Sequence, residues 1–99
     1  FVPASFPGGP RGWQNYLLST LVYPKKSIKA NEQGTVIVKF IVDKDGSISD
    51  LSIDKSVSPA LDKEALRVIG EMPKWKPGKL DGEIIRSFFK QPITFKLES

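Results

Sequence analysis

The stretch Gly34-Thr-Val-Ile-Val-Lys-Phe-Ile-Val42 decides how this chain folds. β-Branched residues dominate it. Val36, Val38, Phe40 and Val42 fall on one face and Ile37 and Ile41 on the other. A strand that is apolar on both faces belongs in the middle of a sheet. Asp43-Lys-Asp-Gly46 follows at once and has the composition of a hairpin turn, with Gly46 free to take the positive φ such turns need. A second strand then runs over about residues 47–55. Its apolar residues change phase between Ile48 and the Leu51/Ile53 pair, which predicts a bulge or an early edge.

Downstream, Ser58-Pro59 opens a helix that extends to about Met72. Ser58 is suited to the N-cap and Pro59, which lacks an N–H, to the first helical position. Leu61, Ala65, Val68 or Ile69, and Met72 form its buried stripe, and Pro73 stops it. Lys74–Gly82 reads as a connection. The last strand, Ile84 to Leu97, alternates: Ile85, Phe89, Ile93, Phe95 and Leu97 face one way, Arg86, Lys90, Thr94 and Lys96 the other. Pro92 lies inside it, and a proline in a ladder is tolerated mainly at an edge. Upstream, residues 12–22 carry apolar side chains at helical spacing and are stopped by Pro24. Lys25–Gln33 is polar, with room for one helical turn. Residues 1–11, rich in proline and glycine, are expected to be an extended segment preceding a domain over 12–99. The order helix, strand, strand, helix, strand predicts an α+β fold. Its three-stranded antiparallel sheet carries two helices on one face, the first strand central and the last with one open edge.

Composition removes whole classes of function. The 99 residues, 39% hydrophobic and 26% charged, fit one globular domain. Cysteine and histidine are both absent, which excludes disulfides, thiolate nucleophiles, imidazole bases and nearly all transition-metal sites; no cofactor is implied. The net charge of +4 comes from scattered lysines rather than a basic stripe interleaved with exposed aromatics, so nucleic acid is not an expected partner. No apolar run approaches the roughly 20 residues that span a bilayer. The chain opens on Phe-Val-Pro without an initiator Met. It reads as a piece of a longer protein, any anchor lying upstream.

The carboxylates cluster as Asp43/Asp45, Asp62/Glu64 and Asp81/Glu83, in turns and at a helix start. There acids stabilise turns and the helix dipole; a catalytic pair would converge from separate elements. Asp43–Ser47 has the opening of a calcium loop but lacks the remaining ligands and the closing Glu. The serines have no histidine or well-placed lysine partner. An enzyme is not expected. Trp75 reads either as an exposed anchor or as an aromatic plug closing the helix-to-strand corner, the second favoured by the usual burial of such rings. What remains is the open edge of the last strand, either blunted by Pro92, Lys90 and Lys96 or used to recruit an extended peptide.

The ordered set of segments resembles the C-terminal domain of TonB-type energy transducers, in the version common in Bacteroidetes-like bacteria. The resemblance runs from Phe6-Pro-Gly-Gly9 through Tyr23-Pro24 and Gly34–Asp50 to Ser56–Ile69. It continues through Met72-Pro-Lys-Trp-Lys-Pro-Gly78 and ends at Pro92-Ile-Thr-Phe95. It implies a periplasmic domain anchored to the inner membrane by an upstream helix and driven by an ExbB–ExbD-type motor. The implied partner is the TonB box of an outer-membrane transporter, paired along the last strand at Arg86, Ser87, Phe88, Phe89, Lys90 and Gln91, with Tyr23 and Pro24 nearby. Phe6 and Pro7 are implied contacts to the transporter plug. Ser87–Gln91 is bulkier than the usual end of that strand in the family. Two other functions fit the same fold: a ligand-binding domain on a membrane protease or sensor, and a module that pairs edge to edge into a homodimer.

Overall fold

The computed structural model describes residues 1–97. Its elements are α1 (Gly9–Thr20), α2 (Lys25–Lys29), β1 (Gly34–Val42), β2 (Ile48–Lys55), α3 (Pro59–Gly70), β3 (Gly78–Leu80), β4 (Glu83–Ile85) and β5 (Ser87–Phe95). The main sheet is antiparallel in the order β2-β1-β5, with β1 central as its two apolar faces require. One face of β1 is fully covered: Val36, Val38, Phe40 and Val42 are buried with Leu61, Ala65, Val68 and Ile69 of α3 and Ile93 and Phe95 of β5.

β2 carries the irregularity foreshadowed by its change of phase. The register shifts between Lys39↔Ser52 and Ile41↔Ser49, and Asp50 takes φ 52° there. An aspartate tolerates this left-handed conformation better than a β-branched residue does. β1 and β5, by contrast, pair without a shift from Gly34↔Phe95 to Val42↔Ser87, passing straight through Pro92 opposite Ile37.

Three expectations need correction. The last strand is not continuous from Ile84 to Leu97, and Lys74–Gly82 is not a plain connection. Glu83–Ile85 pairs back on Gly78–Leu80 as a separate hairpin. Its turn is Asp81-Gly82, with φ of 51° and 81°, the two positive values that a tight primed turn demands. Leu97 lies beyond the ladder, its N–H donating to Gln33 Oε1 (2.9 Å). The first helix also starts at Gly9, ahead of the expected residue 12. Gly8 turns the chain at φ 82°, and Pro10, in the first turn, forgoes only an N–H that would have no partner there. The segment before it is extended but docked. Val2 exchanges backbone hydrogen bonds with Lys79 and Ser5 with Lys76, and Ala4 and Phe6 are buried.

α1 itself buries no residue completely. Trp13, Tyr16, Leu17 and Leu21, the residues at helical spacing, lie half-buried against the core, and polar groups fix the rest. Tyr16 Oη donates to the Val68 carbonyl (2.6 Å), Val22 N–H donates to Glu64 Oε2 (2.7 Å), and Arg67 Nη2 donates to the Thr20 carbonyl (2.7 Å). Arg67 also bridges Glu64 (2.8 Å) and Glu71 (3.1 Å). Burial alone would raise the Glu64 carboxyl, but the bonds from Arg67 and Val22 outweigh it and hold the group below its ordinary value.

A carboxyl with a depressed native pKa stabilises the fold above its unfolded pKa and loses that contribution as pH falls through the native value. The α1–α3 contact therefore has its full stabilisation above the ordinary carboxylate range and loses it as pH falls through the depressed value of Glu64. Glu64→Gln should lower the melting temperature at pH 7 and flatten its fall on acidification. Melting curves between pH 7 and 3 that are parallel for the two proteins would rule out this role.

Candidate functional site

The site grows from the position of β5. It pairs with β1 on one side, and among the described residues nothing pairs with the other. The register runs unbroken through Pro92, which has no N–H to give to β1, so this residue turns its backbone groups to the open side, and its carbonyl accepts from the side-chain amide of Gln91 (3.2 Å). In an antiparallel strand the N–H and C=O of one residue point the same way, and the direction alternates. Phe88, Lys90 and Thr94 therefore share the open side with Pro92, while Ser87, Phe89, Gln91, Ile93 and Phe95 bond to β1. Pro92 breaks no ladder bond because its missing N–H would have faced outward.

Side chains follow the same period on the two faces. Phe89 is half-buried on the helix side, stacked on Phe40 at 6.0 Å. Phe88 points to the other face and is 81% exposed. Beneath it lies an open groove of about 430 Å³ bordered by Lys39, Ile41, Asp50, Ser52 and Lys90. Lys90 also reaches Asp54 across the sheet (3.3 Å).

On the helix side the sheet meets an aromatic layer. Trp75 is buried, with ring centroids 5.0 Å from Phe89, 5.5 Å from Phe40 and 6.0 Å from Phe6. It is held by its N–H donating to the Gly46 carbonyl (2.9 Å). Next to this layer a cleft of about 300 Å³ opens between α1 and β5, walled by Phe6, Pro10, Trp13, Trp75 and Gln91.

These positions redistribute the residues expected from sequence. Ser87, Phe88, Phe89, Lys90 and Gln91 lie together on β5. Arg86 precedes the ladder, at the corner between β4 and β5, with Nε 3.0 Å from Asp43 Oδ1. Phe6 is in the core and meets the edge from beneath, while Pro7 beside it is exposed. Tyr23 and Pro24 are not near Phe88–Gln91. Tyr23 packs edge-on against Phe95 at 5.5 Å and donates to the Glu32 carbonyl, so it marks the far end of the strand. Pro10 and Trp13 were missed as neighbours of the edge. Their signal was the spacing of Trp13 with Tyr16 and Leu17, which announces a buried stripe but not the strand it covers.

The carboxylates serve turns and helix ends. Asp45 accepts from the Ser47 hydroxyl (2.6 Å) and N–H (3.0 Å), which hold its carboxyl below the ordinary value, and Asp62 accepts from Val57 N–H (3.0 Å). Among the described residues no group of three His, Cys, Asp or Glu side chains is placed to hold a metal ion, and no helix is long and apolar enough to cross a membrane.

Residues 19–97 match the family described as Gram-negative bacterial TonB protein C-terminal. This chain belongs to the TonB C-terminal domain family. Two solution structures of the TonB C-terminal domain of Helicobacter pylori share the fold. One spans residues 179–285 of that protein and the other 194–285. Each is 26% identical, with a TM-score of 0.66. The first match covers 87% of this chain and 78% of the other, the second 90% and 94%. No curated protein matches. Membership makes this a TonB-type periplasmic domain, in a family that works with outer-membrane transporters.

The Trp75 wall of the site depends on Gly46. Its φ is 86°, and an added Cβ would stand 2.2 Å from the Trp75 carbonyl oxygen. Gly46→Ala should therefore cost at least about 2 kcal/mol, since a side chain in the left-handed region is strained even without a clash. It should also change the near-UV dichroism of the aromatic layer. A urea midpoint within error of the wild type would refute the tight turn.

Proposed function

We propose that this domain grips the TonB box of an outer-membrane β-barrel transporter as an added strand on β5 and passes on force from an inner-membrane motor. The observation that carries the reading is the open backbone edge of β5 over Ser87–Gln91. Strand addition uses such an edge directly, because its unpaired N–H and C=O groups are already in register for an extended peptide. Pairing is best over Ser87–Gln91, since Pro92 offers a carbonyl but no donor. A longer segment would run on towards Phe95, and there Tyr23 and Pro24 join the contact. Pro7 meets the plug of the transporter, with Phe6 supporting it from the core.

The mechanics suit a transducer. A pull along the strand axis loads all ladder bonds together, whereas peeling would break them one at a time. Four or five such bonds, at about 0.5–1.5 kcal/mol each, give roughly 2–7 kcal/mol before the cost of ordering the peptide. Binding of an isolated box peptide is then on the order of micromolar or weaker, and release after each pull is easy. Gripping and releasing need no nucleophile and no metal, so the reading has no catalytic step. Upstream, the same reading places a transmembrane helix and a Pro-rich spacer that engage an ExbB–ExbD-type motor.

Titration of the ¹⁵N-labelled domain with a TonB-box peptide should move the amides of Ser87–Gln91 first. Lys90→Pro should leave the melting temperature nearly unchanged, because this N–H faces outward, and weaken peptide binding by about tenfold, the loss of a ladder bond. Shifts confined to the helices, with Ser87–Gln91 unmoved, would sink the proposal.

A further inference from the structure

Ladder hydrogen bonds are made by the backbone and are the same for every sequence, so an open edge cannot by itself select a partner. In strand addition the selection comes from recesses that receive alternate side chains of the docked segment. The cleft of about 300 Å³ between α1 and β5 has the position and chemistry for this. Gln91 stands at its sheet side, Trp13 and Pro10 on the helix side, and Phe6 and Trp75 between them. The walls are set before anything docks. Phe6 meets Trp13 edge-on at 5.5 Å, and its strand is tied down by Ser5 N–H to Lys76 O (3.0 Å) and Lys76 N–H to Ser5 O (2.9 Å). A preformed apolar recess loses little ordering entropy when filled.

The surroundings add a charge. A second recess runs on along Ser5–Gly9 and is bordered by Lys74 and Lys76, with no carboxylate in its lining. An apolar cleft that continues into a cationic one is complementary to a segment carrying a large apolar residue and a carboxylate on the same face. On an extended strand, residues on one face are separated by even steps.

Building on the reading of β5 as the docking edge, we infer that this cleft is the specificity pocket for the added strand. The partner segment seats one large aliphatic or aromatic side chain between Trp13 and Gln91. An acidic residue an even number of positions away meets Lys74 or Lys76.

A display library of random nonapeptides selected on the intact 99-residue chain tests this. The strongest peptide is then synthesised and compared, by amide-shift titration, with versions that change its apolar residue to serine or its acid to the amide. Enrichment of the apolar-plus-acid pattern is expected, with the serine version at least about tenfold weaker, the loss that goes with leaving a large side chain unburied. Gln91→Lys, which lays a charged side chain over the cleft at a half-exposed position, and Trp13→Ala should both erase the difference between the apolar and serine peptides. Peptides that shift Ser87–Gln91 without an apolar preference, or discrimination that survives in both variants, would overturn the pocket and leave the edge reading standing. Enriched peptides that bind elsewhere and leave β5 unmoved would overturn both.

Discussion

Pairing of β5 with β1 places the open edge on which the candidate site is built. The register runs unbroken from Gly34↔Phe95 to Val42↔Ser87 and joins segments from opposite ends of the domain. It carries Ile93 and Phe95 into the core beside Val36 and Val38, and it lays Phe89 on Phe40. Among the described residues no strand follows β5 in the sheet, so it is an outer strand with one row of backbone groups without partners. One edge of β5 holds the sheet together, and the other is the edge proposed for docking.

The aromatic layer of Phe6, Trp75, Phe40 and Phe89 is the second dependence. It joins the N-terminal segment, β1, the segment after α3 and β5 at one place, through ring contacts between 5.0 and 6.0 Å. Edge-to-face and stacked aromatic pairs hold defined geometries as well as apolar area. Two walls of the cleft, Phe6 and Trp75, are in this way core residues whose change would disturb the fold, whereas Phe88 and Lys90 can vary with little effect on it. The fold shared with the Helicobacter pylori domains at 26% identity fits this division, since a core tolerates exchange of side chains while volume and pattern are kept.

Much of this was legible in the chain. The two-faced apolar pattern of Gly34–Val42 made β1 central, the change of phase after Ile48 announced the irregularity at Asp50, and Ser58-Pro59 marked the start of α3. The alternation of Phe89, Ile93 and Phe95 with Pro92 marked an edge strand. Other features left a local signal that was outweighed. Asp81-Gly82 is a strong hairpin signal, but the strands it joins are only three residues long, too short for an alternating pattern to stand out. Gly8, Gly9 and Pro10 read as irregular, though the cap and first turn of a helix accept them.

Local sequence by itself determined that β1, β2, α3 and β5 form, which side chains of α3 and β5 turn inward, and that β5 lies at an edge. These follow from side-chain periods of two and 3.6 and from the missing N–H of proline, all properties of neighbouring residues. Tertiary structure alone decided what stands beside that edge. Phe6, Trp13 and Trp75 come together with Gln91, while Tyr23 goes to the far end of the strand against Phe95. Such neighbours are set by chain closure over long separations and by the fit of rings in a shared core, and no local pattern encodes either.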